Sequence, residues 1–170
     1  QRRGDYLTAA DFWEKAILQR LTIDGQADAD VAEYLKASFL IHKARARGLL
    51  KSSKSDEAIE ELHKAEAILP ADTQIVLDLA PELQRAGRPA EADALFRRAL
   101  AVQETICSDF PRSASHHNNL AWMAACLDRE LDKALQHSQR AVELDPEKVA
   151  YLDTLAEVYF RRGDSAEAFC

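Results

Sequence analysis

A short frame of small residues recurs along this chain, and it limits the possible folds more than any other feature. GDYLTAADFWEKA starts at Gly4, GRPAEADALFRRA at Gly87 and GDSAEAFC at Gly163. Each sets an alanine five residues after its glycine: Ala9, Ala92 and Ala168. The first two add a large aromatic residue, Trp13 and Phe96, and then a further alanine, Ala16 and Ala99. Two more segments hold the frame without the glycine, namely Ala58, Leu62, Ala65, Pro70 and Ala134, Ser138, Ala141, Pro146, with 12 residues from alanine to proline in both. A unit this short cannot bury its own apolar flank, so a chain that repeats it must lay the copies against one another.

Everything else in the composition favours helices. Only 5 Gly and 5 Pro occur in 170 residues, too few for the turns of an all-β fold, and a 47% hydrophobic share supplies a real core. Residues 5–21 place Tyr6, Ala9, Trp13, Ala16 and Ile17 on one helical face. TIDGQADA, with Gly25, reads as a loop, and 28–51 as a long helix with Val31, Leu35, Phe39 and Ala46 on its apolar side. KSSKSDE is a break with Ser55 as N-cap and Asp56 and Glu57 in the first turn, where the helix dipole favours acids. Helices follow at about 56–69, at 73–86 behind the cap Asp72, and from Pro89 to about Asp109. Further helices cover 114–126 and 130–144, then one behind Asp145-Pro146 that ends at Arg162-Gly163, and a last one begins at Ser165. Pro81 falls inside a helix, where it should kink it or break the bond at the carbonyl of Leu77.

The helices that precede the frame repeat as well. Leu152, Leu155-Ala156 and Tyr159 follow a W-x2-L-G-x2-Y spacing, as do Val76, Leu79-Ala80 and Leu83, and more loosely His117, Leu120-Ala121 and Ala124. Together these segments resemble the tetratricopeptide repeat, a helix–turn–helix unit of about 34 residues. The resemblance implies an all-α fold, a right-handed superhelical solenoid of antiparallel helix pairs, with about nine helices counting partial ones. The blocks would be a second helix over 1–21, repeats over 28–70, 73–110 and 114–145, and a partial repeat over 147–170. The key alanines lie 49, 34, 42 and 34 residues apart, so two repeats are lengthened, one at the 22–27 loop and the helix after it, the other mainly in the helix 89–109. Both ends fall within repeats, so the chain is expected to be a fragment of a larger protein.

Several functions are disfavoured. A net charge of −7 lacks the basic surface that nucleic-acid binding needs. The charge is uneven: residues 1–51 hold 9 Lys/Arg against 7 Asp/Glu, and residues 52–170 hold 13 against 22. Cys107, Cys126 and Cys170 form no CxxC pair and read as small buried hydrophobes, which leans towards a reducing, cytoplasmic setting. No run of about 18 apolar residues encodes a membrane span. No metalloprotease, nucleophile-elbow or phosphate-loop motif occurs, and no nucleophile–base pairing, so no catalytic residue, metal or cofactor is expected. The adjacent His116 and His117 point to different helical faces, one expected to be buried and one exposed.

Function is therefore expected in binding. In tetratricopeptide proteins the first helix of each pair lines a concave groove that holds peptides, and the resemblance places its lining at every fourth residue. These positions are Lys43, Arg47 and Lys51, then Leu77, Pro81 and Arg85, then Asn118, Trp122 and Cys126, and finally Asp153, Glu157 and Arg161. A protein or peptide segment with an acidic end would meet Lys43 and Arg47, with Trp122 as aromatic anchor. The rival readings are an accessory domain of a larger enzyme or signalling protein, and a self-association module using end helices or the long helix 28–51.

Overall fold

The computed structural model describes residues 5–24 and 31–164. Gly25 and the helix expected from Ser165, with Ala168, lie outside the described residues. Eight helices follow in order among those described: α1 (Tyr6–Asp24), α2 (Val31–Lys51), α3 (Ser55–Ile68), α4 (Thr73–Arg85), α5 (Pro89–Asp109), α6 (Ala114–Cys126), α7 (Leu131–Leu144) and α8 (Val149–Arg162). No strand occurs among the described residues, so the expected all-α class holds. The chain divides within α5, between Leu95 and Phe96, into two compact units.

In the first unit α1 packs on α2 and α2 on α3, while α2 also reaches α4. Its buried residues include the frame positions Ala58, Leu62 and Ala65 on α3, and Ile75, Val76, Leu79, Ala80 and Leu83 on α4. In the second unit α6 packs on α7 and α8, and α7 on α8. Small residues dominate there: Ala121, Ala124, Ala125, Ala134 and Val158 form one fully buried cluster with Leu135 against it. Side chains this short let helix axes approach closely, which explains why the frame specifies alanine rather than leucine.

The C-terminal ends of α2, α4, α6 and α8 are closed in the same way. After α2, α4, α6 and α8 one residue takes a left-handed conformation: Ser53 (φ 61°), Gly87 (75°), Asp128 (53°) and Gly163 (84°). The next N–H then donates to a carbonyl five residues back: Lys54 to Leu49 (2.9 Å), Arg88 to Leu83 (2.9 Å), Arg129 to Ala124 (3.0 Å) and Asp164 to Tyr159 (2.9 Å). These are Schellman closures, and they satisfy carbonyls that the helix ends would leave bare. Glycine takes that conformation freely, and aspartate tolerates it better than most residues. Ser53→Gly is therefore expected to raise stability by about 0.5–1 kcal/mol. The check is a higher urea midpoint at unchanged slope, and a lower midpoint would contradict it.

The local expectations met mixed outcomes. Asp72 caps α4 by accepting a 2.9 Å bond from the N–H of Ile75, and Pro89 opens α5 as expected. α1 continues to Asp24, through the start of the expected loop. Ser55 is the first residue of α3 rather than its cap: Lys54 holds the cap position, with no side-chain cap bond. Asp145 ends α7, and α8 starts only at Val149, so Pro146 lies in a turn. Pro81 sits within α4, which runs unbroken to Arg85. On α1 the buried residue is Ala10, whereas Trp13 is 45% exposed and Ala16 is also exposed. Of the face read from Tyr6, Ala9, Trp13, Ala16 and Ile17, three residues (Tyr6, Ala9 and Ile17) are partly buried, while Trp13 and Ala16 line a cleft with Ala37 and Leu40 of α2.

Candidate protein-binding faces

The expected binding positions lie on α2 and α4 of the first unit and on α6 and α8 of the second. In the first, Lys43 and Arg47 on α2 face Asp78 and Glu82 on α4. Lys43 Nζ lies 2.7 Å from Asp78 Oδ2, and Arg47 Nε donates to Glu82 Oε1 at 2.7 Å. Burial on its own would raise the Asp78 pKa, but hydrogen bonds from Lys43 and Gln74 outweigh it and hold the carboxyl below its ordinary value. Burial likewise opposes the Arg47 charge, and the bond to Glu82 together with the charges of Glu82, Tyr6 and Asp78 more than restores it. The expected basic stripe is therefore largely neutralised by the neighbouring helix.

Two cations remain at the surface of this face. Lys51 and Arg85 are exposed and line a cleft of about 390 Å³ with Leu50, Ser53, Ser55, Glu82 and Ala86. Lys51 Nζ sits 4.3 Å from the centre of the Tyr6 ring, which also lies under the Arg47 guanidinium at 4.9 Å. Glu82 is 93% buried, and its second oxygen, Oε2, has no hydrogen-bond partner among the described residues. Leu77 and Pro81 are partly buried on the same helix.

In the second unit, α6 and α8 carry the other positions. Trp122 keeps 40% of its surface exposed, while Ala121 and Met123 beside it in α6 are fully buried. Asn118 and Cys126, one turn either side of Trp122, are partly buried, and the Asn118 Oδ1 atom is buried without a partner among the described residues. On α8 Asp153 and Arg161 are exposed, and Arg161 Nε donates to Glu157 Oε1 at 2.7 Å. Burial pushes the Cys126 thiol up, Glu157 adds to this and Arg161 opposes it, so the α6 and α8 positions are close enough to interact.

Sequence reasoning missed Tyr6, Asp78 and Glu82. The signal was present: Lys43 to Asp78 and Arg47 to Glu82 span the same 35 residues, so two charge ladders of opposite sign run in step. Of the histidine pair, His117 is buried as expected, but His116 is half-buried rather than exposed.

One family model and several solved structures match parts or most of the chain. Residues 78–112 match the family model of the tetratricopeptide repeat. The matched stretch comprises the second half of α4, all of α5 and the bend after it. Among solved structures it resembles MamA from Desulfovibrio magneticus RS-1, at 19% identity over 98% of this chain and 90% of that one, with a TM-score of 0.42. It also resembles MamA of AMB-1 (16% identity, 96% and 81% covered, TM-score 0.42) and MamA of MSR-1 (18%, 96% and 86%, TM-score 0.41). No curated protein sequence matches it. No helix among the described residues is long and apolar enough to cross a membrane.

Proposed function

We propose that this chain is a protein-interaction scaffold that binds peptide segments on the faces of its first helices, α2–α4 in one unit and α6–α8 in the other. Tetratricopeptide repeats are in general interaction scaffolds and typically non-catalytic. One observation carries the finer reading: on α6 the repeat frame singles out Trp122, and that ring stays 40% exposed between fully buried neighbours. Leaving a large aromatic surface in water forgoes stabilisation that burial would give, which is the pattern of a binding anchor. On the α2–α4 face, Lys51 and Arg85 would receive the acidic end of a segment, because Lys43 and Arg47 are held by Asp78 and Glu82.

The test is selection from a displayed peptide library on the wild-type chain, followed by affinity measurements on variants. Trp122→Ala should weaken peptides bound by the second unit by roughly 2 kcal/mol, about 30-fold. Lys51→Ala with Arg85→Ala should weaken acidic peptides bound by the first. Both substitutions are at exposed positions, so the fold should survive, as circular dichroism would check. Selected peptides that bind every variant as tightly as the wild type would end this reading. Concentration-dependent light scattering with no selected peptide would favour self-association instead.

A further inference from the structure

Three side chains from three helices of the second unit meet in a way that the binding faces do not use. Cys107 near the end of α5, His117 in the first turn of α6 and His137 in the middle of α7 each bring one donor atom within 4.8 Å of the other two. Cys107 is 4% exposed, His117 is 7% exposed, and His137 is partly buried. The two imidazoles stack with centroids 5.0 Å apart, and their Nδ1 atoms lie 2.8 Å apart. We propose that Cys107, His117 and His137 form a binding site for one zinc-class metal ion.

The chemistry of the cluster supports this. His117 Nε2 lies 3.2 Å from the carbonyl oxygen of Pro111. A carbonyl only accepts, so the proton sits on Nε2 and the Nδ1 lone pair is aimed at His137. A metal-ligating histidine characteristically has this backing, its far N–H tied to a backbone oxygen while the near nitrogen is free to coordinate. Without a metal, His137 must donate its Nδ1 proton into that lone pair, and two imidazolium ions could not sit this close.

Geometry and charge are compatible with an ion. Bonds of about 2.0 Å at tetrahedral angles put two nitrogens about 3.3 Å apart, so the rings need to open by only about half an ångström. A thiolate and two imidazoles are borderline-soft donors, which suit Zn²⁺ or Co²⁺ and not Mg²⁺ or Ca²⁺. Three protein donors leave the fourth position of a tetrahedral ion to water or an external ligand. The charged groups around the cluster are Glu104, Lys133 and Glu130. Glu104 sits one turn before Cys107 and accepts from Lys133 Nζ at 2.7 Å, while Glu130 lies 3.8 Å from the same lysine. On binding, Cys107 loses its proton to solvent, so affinity should fall as the pH is lowered.

The experiment is titration of the metal-stripped full chain with Co²⁺. The expected result is one ion per chain, a near-ultraviolet thiolate-to-cobalt charge-transfer band, visible bands of tetrahedral cobalt, and displacement by Zn²⁺ but not by Mg²⁺. Cys107→Ser should abolish the charge-transfer band. His117→Gln and His137→Gln should each weaken Co²⁺ by at least about tenfold. His63→Gln, which removes an exposed imidazole outside the cluster, should change nothing. If Cys107→Ser fails to fold, the partly exposed His137→Gln variant decides, and Zn²⁺ should raise the melting temperature of the wild type but not of this variant. The proposal is overturned by a wild-type chain with no band at saturating Co²⁺, by a band that survives Cys107→Ser, or by unchanged affinity in His137→Gln.

Discussion

Leu79→Ala and Leu120→Ala are each expected to lower the unfolding free energy by about 3 kcal/mol, and Leu155→Ala by about half as much. All three leucines hold the same position of the repeat, before Ala80, Ala121 and Ala156. Leu79 and Leu120 are 0% exposed, so truncation removes the transfer energy of three carbons and leaves a hole that packed neighbours fill only in part. Leu155 is partly buried, so water already reaches its side chain and the cavity contribution is smaller. Urea denaturation, with each unit followed by hydrogen exchange, provides the check. Equal losses at the three positions would mean that repeat position, rather than local burial, sets the energetics.

Arg47→Ala is expected to cost about 2 kcal/mol, mostly through the carboxylate it abandons. Glu82 is 93% buried and keeps one oxygen without a partner even when the arginine is present. Loss of the guanidinium leaves a dry, uncompensated charge. The cost should stay below the roughly 3–5 kcal/mol of a fully buried pair, because a third of the Arg47 side chain is still in water. Combining Arg47→Ala with Glu82→Leu should recover more than half of the loss, since an apolar side chain of similar size needs no partner. A double-mutant cycle by urea denaturation measures this. A double variant less stable than Arg47→Ala alone would show that Glu82 contributes something other than its pairing with Arg47.

The fold was legible because its determinants are local and repeated. Ala58, Ala65, Ala92, Ala134, Ser138 and Ala141 are buried where the frame put them, and the long helices α2 and α5 account for the irregular spacing. The frame was least informative on α1. There Trp13 fits the spacing but stays 45% exposed at a cleft against α2, because a periodic pattern fixes which residues share a face and not how deeply a neighbour covers it. The binding positions were legible as positions but not as charges. Lys43 and Arg47 read as a free basic stripe because their partners lie 35 residues away, beyond any helical period. The Cys107–His117–His137 cluster was invisible for the same reason, since its members sit on three helices with no ligand spacing of their own.

The four Schellman bends have a practical consequence. Their closing bonds run between backbone groups alone, so side chains at the tips are not needed to turn the chain. The α6–α7 bend already contains an additional left-handed residue, Glu130 (φ 50°), beyond the closing Asp128. A fluorophore or epitope spliced in after Arg129, which leaves the closing bond to Ala124 in place, should therefore be accepted with the helical faces undisturbed, making this connection a suitable attachment point for a reporter of ligand capture.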